Sequence, residues 1–421
     1  MTLAHEPSLA ALAASPRAFG KLPALVGAPA AFRFAARLLA LNWRAGSLTF
    51  ITPSGQELRI KGPEPGVDGR IVVHDFGFMR RVLAAGDIGF AEGYMAGEWD
   101  TPDLSAVLSA VSMNFDRLAR FFLGNPLVRA VNFIGHSLHA NTRKGSRKNI
   151  HAHYDLGNAF YGQWLDPTMT YSSARYSRDG EPLELAQTNK YRSLAQDMGL
   201  ERDHSVLEIG CGWGGFAEYA AKEVGAKVTG ITISQEQFDF ARKRIFEQGL
   251  AERAEIRMVD YRDVQGQFDR VASIEMFEAV GERYWPTYFG KIRDVLRPGG
   301  RAGLQIITIR DEIFDSYRRR ADFIQKYIFP GGCLPSERKI APIISRAGLT
   351  QIDVERFGRD YADTLAQWAQ RFDAAWDEIR AQSPTFDERF RRLWRFYLAY
   401  CEAGFRSART DVVQLALGRA A

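Results

Sequence analysis

The chain has 421 residues, enough for two or three domains of ordinary size, with 46% apolar and 25% charged residues. That balance excludes wholesale disorder, collagen and coiled coil. Three scattered cysteines (Cys211, Cys333, Cys401) form neither a disulfide framework nor a zinc signature, no window reaches the ~18 apolar residues of a spanning helix, and no leader pattern opens the chain. A reducing, cytoplasmic setting is the expectation.

Residues 1 to about 30 are Ala/Pro/Leu-rich and without period. Residues 32–42 then carry an amphipathic helical pattern, 46–62 two strands around a Pro-Ser-Gly turn, 69–75 a third strand, and 78–86 and 104–115 two more helices. This reads as a small N-terminal α+β domain, residues 1–135. A polar, basic stretch, residues 136–150, suits a linker and holds Arg143, Lys144, Arg147 and Lys148.

From residue 151 to 421 strands alternate with helices: strands at 205–209, 226–234, 254–260, 269–277 and 301–309, helices at 216–225, 235–249 and 288–300. Such alternation predicts an α/β fold, a doubly wound, mostly parallel Rossmann-like sheet. After Asp311 the chain reads as mainly helical and aromatic-rich, with one strand at 349–357, and is expected to close the domain as a helical lid.

The net charge of +5 is modest but clustered, in the linker and in Arg318, Arg319 and Arg320. Charge runs are commonly solvated faces; the functional alternatives are lipid headgroups or nucleic-acid phosphates. None of the nucleic-acid modules is recognisable, which favours lipid.

Gly210-x-Gly212-x-Gly214-Gly215 follows a strand and opens a helix, and Glu208 precedes it by two residues. The bare fingerprint fits a dinucleotide site, a structural turn or an S-adenosylmethionine (SAM) site. Strand two lacks a terminal acid for a nicotinamide cofactor's ribose, and a carboxylate at the turn would repel pyrophosphate but suits the ammonium of an amino-acid cofactor. Context therefore favours SAM.

Five segments, residues 153–176, 206–215, 228–237, 274–281 and 327–336, together resemble the cyclopropane-fatty-acyl-phospholipid synthase family, which includes the mycolic-acid cyclopropane synthases. The resemblance spans about residues 150 to 410. It implies a SAM-dependent C-methyltransferase that acts on the cis double bond of phospholipid acyl chains and forms a cyclopropane. By that resemblance Gly210, Gly212 and Gly214 line the methionine part of SAM, Tyr171 and Ser172 close over it, Thr232 and Gln237 hold the ribose, Asp260 and Tyr261 flank the adenine, and Ile233 is a further cofactor-binding residue. Bicarbonate is the base such enzymes are understood to bind; its shell here would be Glu278, Tyr361, the backbone of Ile307, Ser173 and Gln305. The implied partner is membrane phospholipid, met peripherally at the inner leaflet through the basic patches, with a homodimer as the associated assembly and no nucleic acid.

Three positions depart from the common pattern. Ser173 stands for Cys in "YSC", Gln305 for His in "LLHTI" and Ala279 for His in "MFEHVG". Ser and Gln remain neutral hydrogen-bonding groups, so an anion shell survives, but the fate of the methylated cation becomes open: ring closure, or a methyl- or methylene-branched chain of the kind that leads to furan fatty acids. Bland readings stand beside these. Glu275 and Glu278 read equally as helix-start acids, Tyr361 as a core tyrosine and Cys211 as a packed small residue. His151 and His153 lack a third metal ligand, so no metal is expected. The aromatic stripes after residue 360 are core or the wall of an acyl tunnel. A small-molecule SAM methyltransferase, or a membrane-binding protein on an eroded methyltransferase fold, are the competing functions.

Overall fold

The computed structural model describes residues 27–122 and 156–421. The Ala/Pro-rich start, the basic linker, His151 and His153 lie outside the described residues.

In the N-terminal unit, Phe32, Ala36 and Leu39 recur on one face of helix Ala30–Asn42 and are buried. Strand β1 (Ala45–Ile51) pairs antiparallel with β2 (Glu57–Lys61) and parallel with β3 (Glu64–Val73). A two-residue strand β4 (Trp99–Asp100) completes the order β2-β1-β3-β4. Helix Asp87–Met95 was not legible in the sequence because it is buried nearly all round, which erases the amphipathic period. Gly89 and Gly93 permit that burial: a Cβ on Gly89 would meet the Arg81 carbonyl oxygen at 1.9 Å, and one on Gly93 the Phe78 Cβ at 2.7 Å.

The second sheet has seven strands, β5 (Ser205–Ile209), β6 (Lys227–Thr232), β7 (Ala254–Met258), β8 (Phe268–Ile274), β9 (Leu296–Ile309), β10 (Leu349–Arg356) and β11 (Thr410–Arg419), in the order β10-β11-β9-β8-β5-β6-β7. β5 to β9 are mutually parallel, as the alternating pattern requires. β11 corrects the sequence reading. The chain does not end as a lid: after helices Gly358–Ala374, Trp376–Gln382 and Glu388–Arg406 it re-enters the sheet antiparallel between β9 and β10. Val412 to Leu417 are buried on both faces, so the strand shows no alternation and merges with the helical stripe before it.

The two units share one apolar core. It runs from Phe32 and Trp99 through Phe160 and Trp164 to Trp368, Trp394 and Tyr397. Phe160, fully buried, meets Trp164, Phe386, Phe390 and Trp394 at ring-centroid distances of 4.9–6.0 Å. Helix Leu104–Phe122 packs along helix Glu388–Arg406, and Asp116 bridges Arg310 and Arg409 across the junction. Most of the aromatic stripe is therefore core, and only part of it faces the cavity described next.

Candidate active site

The sheet order reverses at β5, whose neighbours β6 and β8 carry their crossovers to opposite sides, and the C-terminal ends of these strands leave a crevice of the kind in which α/β sheets bind ligands. Gly210, Gly212 and Gly214 in the β5 turn have φ of +78°, +53° and +82°, a region that side chains with a Cβ rarely adopt. The turn is tied to β6 by the Gly210 and Cys211 amides, which both donate to the Ile231 carbonyl. A cavity of about 420 Å³ opens over it.

Around the cavity lie Tyr171, Ser172, Gly210, Gly212, Thr232, Ile233, Gln237, Asp260, Tyr261, Glu278, Ile307 and Tyr361, all expected from sequence. Gly214 is not among them; it faces helix Gln235–Glu247, where a Cβ would stand 3.1 Å from Ala241, so its role is helix packing. Ser173 and Gln305 lie behind the wall, 0% and 1% exposed. The Ser173 hydroxyl turns to the Ala174 carbonyl, and the residue reaches the site through its backbone N–H instead.

The glycine turn carries the features a SAM site needs. Glu208 is buried at the turn, and its Oε2 has no hydrogen-bond partner. Burial pushes its carboxyl up to about 8. A buried carboxylate oxygen lacking a donor is costly unless a ligand supplies one, and an α-ammonium does. The Thr232 hydroxyl donates to Gln237 Oε1 at 2.9 Å and accepts from the Ser234 amide, which holds both side chains at the cavity edge. The Asp260 carboxylate is clasped by Arg262 at 2.8 and 2.6 Å, and the guanidinium packs over the Tyr261 ring. Cys211 is a packed residue whose thiol burial pushes well up, away from a nucleophilic thiolate. Among the described residues no cluster of His, Cys, Asp and Glu suits a metal.

One residue of the cavity wall that the sequence reading left as a helix-start acid accepts three hydrogen bonds. Glu275 follows β8 with φ +48°. Its Oε1 accepts the Ser173 amide (2.8 Å) and Gln305 Nε2 (2.7 Å), and its Oε2 accepts the Tyr361 hydroxyl (2.7 Å). Glu278 stands apart: Oε1 accepts the Ile307 amide and Oε2 has no partner. Burial first, then the Glu275 charge, raises its carboxyl to about 8, so it is neutral near pH 7. Burial also raises Tyr361 well above the usual phenol range and keeps it a donor.

Two further residues escaped the sequence reading. Lys190, 0% exposed in helix Leu183–Asp197, donates to the Ser172 hydroxyl at 2.6 Å, and burial lowers its ammonium while Glu275 opposes that shift. Gln414 on β11 donates to Gln305 Oε1 (3.1 Å) and accepts from the Ser193 hydroxyl (2.7 Å). The signal for Lys190 was the polar series Gln187, Lys190, Ser193 at helical spacing on a face that also holds Ala186 and Leu194. Gln414 could be found only with β11.

The fold and this site define a SAM-dependent methyltransferase. The family profile described as mycolic acid cyclopropane synthetase matches residues 141–415. The chain is 41% identical to tuberculostearic acid methyltransferase UfaA1 of Mycobacterium tuberculosis over 81% of both chains, and 36% identical to the cyclopropane-fatty-acyl-phospholipid synthase of Escherichia coli over 90% of this chain and 94% of that one. Among solved structures, mycolic acid cyclopropane synthase CmaA1, complexed with SAH and CTAB, superposes with a TM-score of 0.61 at 29% identity, covering 65% of this chain and 98% of that one. This chain therefore belongs to the mycolic acid cyclopropane synthetase family, as an enzyme of the cyclopropane-fatty-acyl-phospholipid synthase type that modifies fatty acyl groups.

Proposed function

We propose that the enzyme adds one carbon from SAM across the cis double bond of an unsaturated acyl chain in a membrane phospholipid. One observation carries this reading. The cavity does not end at the cofactor turn but continues, with mainly apolar walls, past Tyr361, Phe396 and Tyr400 to Phe90, Leu108 and Phe115 of the N-terminal unit. A pocket for a small polar acceptor needs no such extension. An acyl chain does.

At the remote end the wall gains charge. Arg320 and Arg409 line the cavity there, and their guanidiniums pack against the Phe115 ring at 5.2 and 4.7 Å. Arg319 beside them is exposed. These cations suit a phosphate headgroup and a peripheral approach to the inner leaflet. Among the described residues no helix is long and apolar enough to cross a membrane.

SAM bound at the glycine turn supplies an electrophilic methyl, which the π pair of the alkene attacks as the C–S bond breaks. The protein's part is to align the alkene, exclude water and take up a proton. Tyr361, Glu275, Glu278 and the Ile307 backbone form the wall where that occurs. Proton loss with ring closure gives the cyclopropane. A methyl- or methylene-branched chain is the second reading, favoured by Ser173, Gln305 and Ala279, which depart from the common pattern, and by the 41% identical relative, which is named a methyltransferase and not a cyclopropane synthase.

Incubation with SAM and vesicles of monounsaturated phospholipid, followed by fatty-acid mass analysis, tests the reading. A gain of one CH₂ per chain is expected, and proton NMR then separates a ring from an exocyclic methylene. Unmodified chains alongside methylation of soluble amines or phenols would overturn it.

A further inference from the structure

Three of the groups that the family resemblance assigns to a bound bicarbonate, Ser173, Gln305 and Tyr361, are present in this chain as donors, but a side chain already holds all three. Ser173 N–H and Gln305 Nε2 both point at Glu275 Oε1, and the Tyr361 hydroxyl at Oε2. Bicarbonate offers the same planar pair of oxygens as a carboxylate and needs the same donors. It cannot have them while Glu275 does. The residues present therefore do not fit the ion in addition to Glu275.

We propose that Glu275 is a base built into the chain, which does in this enzyme what a bound anion would otherwise do. The inference rests on the lipid methyl-transfer reading above. Glu275 directly follows β8, and its amide donates to the Gln305 carbonyl of β9 at 2.8 Å, so its backbone is tied to the sheet. Its φ of +48° is unfavourable for a residue with a Cβ and is held by the surrounding bonds, a pattern that clusters at functional sites. Gln305 cannot turn its amide over, because its Oε1 is committed to Gln414 Nε2 and Gln414 Oε1 to Ser193. Burial raises the Glu275 carboxyl, as suits a group that must take up a proton, and Lys190, behind Ser172, is a positioning residue whose buried ammonium opposes that rise.

The step balances without an outside reagent. Oε1 already accepts two hydrogen bonds and Oε2 one, so Oε2 retains a lone pair beside the cavity. After methyl transfer the acyl chain carries a cationic carbon. For a ring, a C–H bond of the newly added methyl breaks and its electron pair forms the C–C bond to the cationic carbon. For a methylene, a hydride first shifts from the methyl-bearing carbon to the cationic carbon, and the methyl C–H pair then forms the π bond. In both cases the proton passes to Glu275 Oε2. The cation and the carboxylate neutralise each other, and the carboxylic acid later returns its proton to water. Glu278, neutral beside it, does not compete for the proton.

Glu275→Gln and Glu275→Gly separate the possibilities, and glycine accepts the observed φ without strain. In buffer freed of carbon dioxide the wild-type enzyme should methylate monounsaturated phospholipid vesicles as fast as with added bicarbonate. Glu275→Gln should lose ~100-fold or more in kcat, the usual worth of a positioned general base, with SAM affinity and melting temperature retained. Glu275→Gly should bind ¹³C-bicarbonate, seen as broadening of its NMR line, and recover turnover when bicarbonate is added; the wild type should broaden nothing. A wild type that binds or requires bicarbonate, or a folded Glu275→Gln of near-normal kcat, would overturn the assignment. The anion-binding contrast needs no turnover, so it stands or falls separately from the lipid reading, which fails if the wild type modifies no vesicle chain.

Discussion

Replacing Glu208 by glutamine should make the ligand-free protein more stable and spoil its cofactor site in the same stroke. Glu208 is 3% exposed, and its carboxyl ionises at about 8 in the folded protein against an ordinary 4.5. Between those values the unfolded chain sheds a proton that the folded chain keeps. Stability from this group is therefore complete below 4.5, falls as pH rises, and levels off above 8. At pH 7, which is 2.5 pH units above 4.5 at ~1.4 kcal/mol per pH unit, the cost is about 3 kcal/mol. Glutamine is isosteric and carries no charge to desolvate, so Glu208→Gln should gain up to that amount in urea unfolding at pH 7 and almost nothing at pH 4.5. Calorimetric titration with SAM should show the opposite. Loss of a charge-assisted hydrogen bond to the ammonium, worth ~1.5–3 kcal/mol, weakens binding roughly 10- to 150-fold. In the wild type, binding at pH 7 should release a proton, and affinity should climb with pH until about 8. A Glu208→Gln protein that is destabilised at pH 7, or that binds SAM normally, would refute the argument that this carboxylate is stored for the cofactor's ammonium.

Gln414→Leu should strand Gln305 Oε1 in the core, at ~1–3 kcal/mol for the unsatisfied group. Urea unfolding measures that loss, and kcat should fall while SAM affinity holds, because Gln305 can then turn away from Glu275; an unchanged kcat would sink the positioning role. Arg319→Ala with Arg320→Ala should weaken sedimentation with anionic vesicles by ~1 kcal/mol per residue, about 30-fold for the pair, and the difference should shrink in high salt. Equal sedimentation of both proteins would remove the phosphate-facing role of that mouth.

Much of the fold was legible locally. Period-two and period-3.6 patterns marked β1 to β3, β5 to β9 and most helices, and the glycine turn with Glu208 marked the cofactor end, because tight turns and buried acids demand particular residue types. Helix Asp87–Met95 and strand β11 were lost for one shared reason: burial on every side removes the contrast from which periodicity is read. The boundaries of the linker fall outside the described residues, whereas the common core from Phe32 to Tyr397 appears only once both units are folded.

The sequence by itself determined the class of chemistry, since a glycine turn beside an acid and the run from Glu275 to Glu278 are short-range facts of residue type and spacing. The tertiary structure alone decided which acid does what. Glu275 and Glu278 are three positions apart and chemically identical. Only the meeting of β8, β9, β11, the Ser173 loop and helix Gly358–Ala374 gives three donors to one and leaves the other neutral. A carboxylate's role is set by the donors and charges that surround it, and those arrive from residues 30 to 102 positions away along the chain.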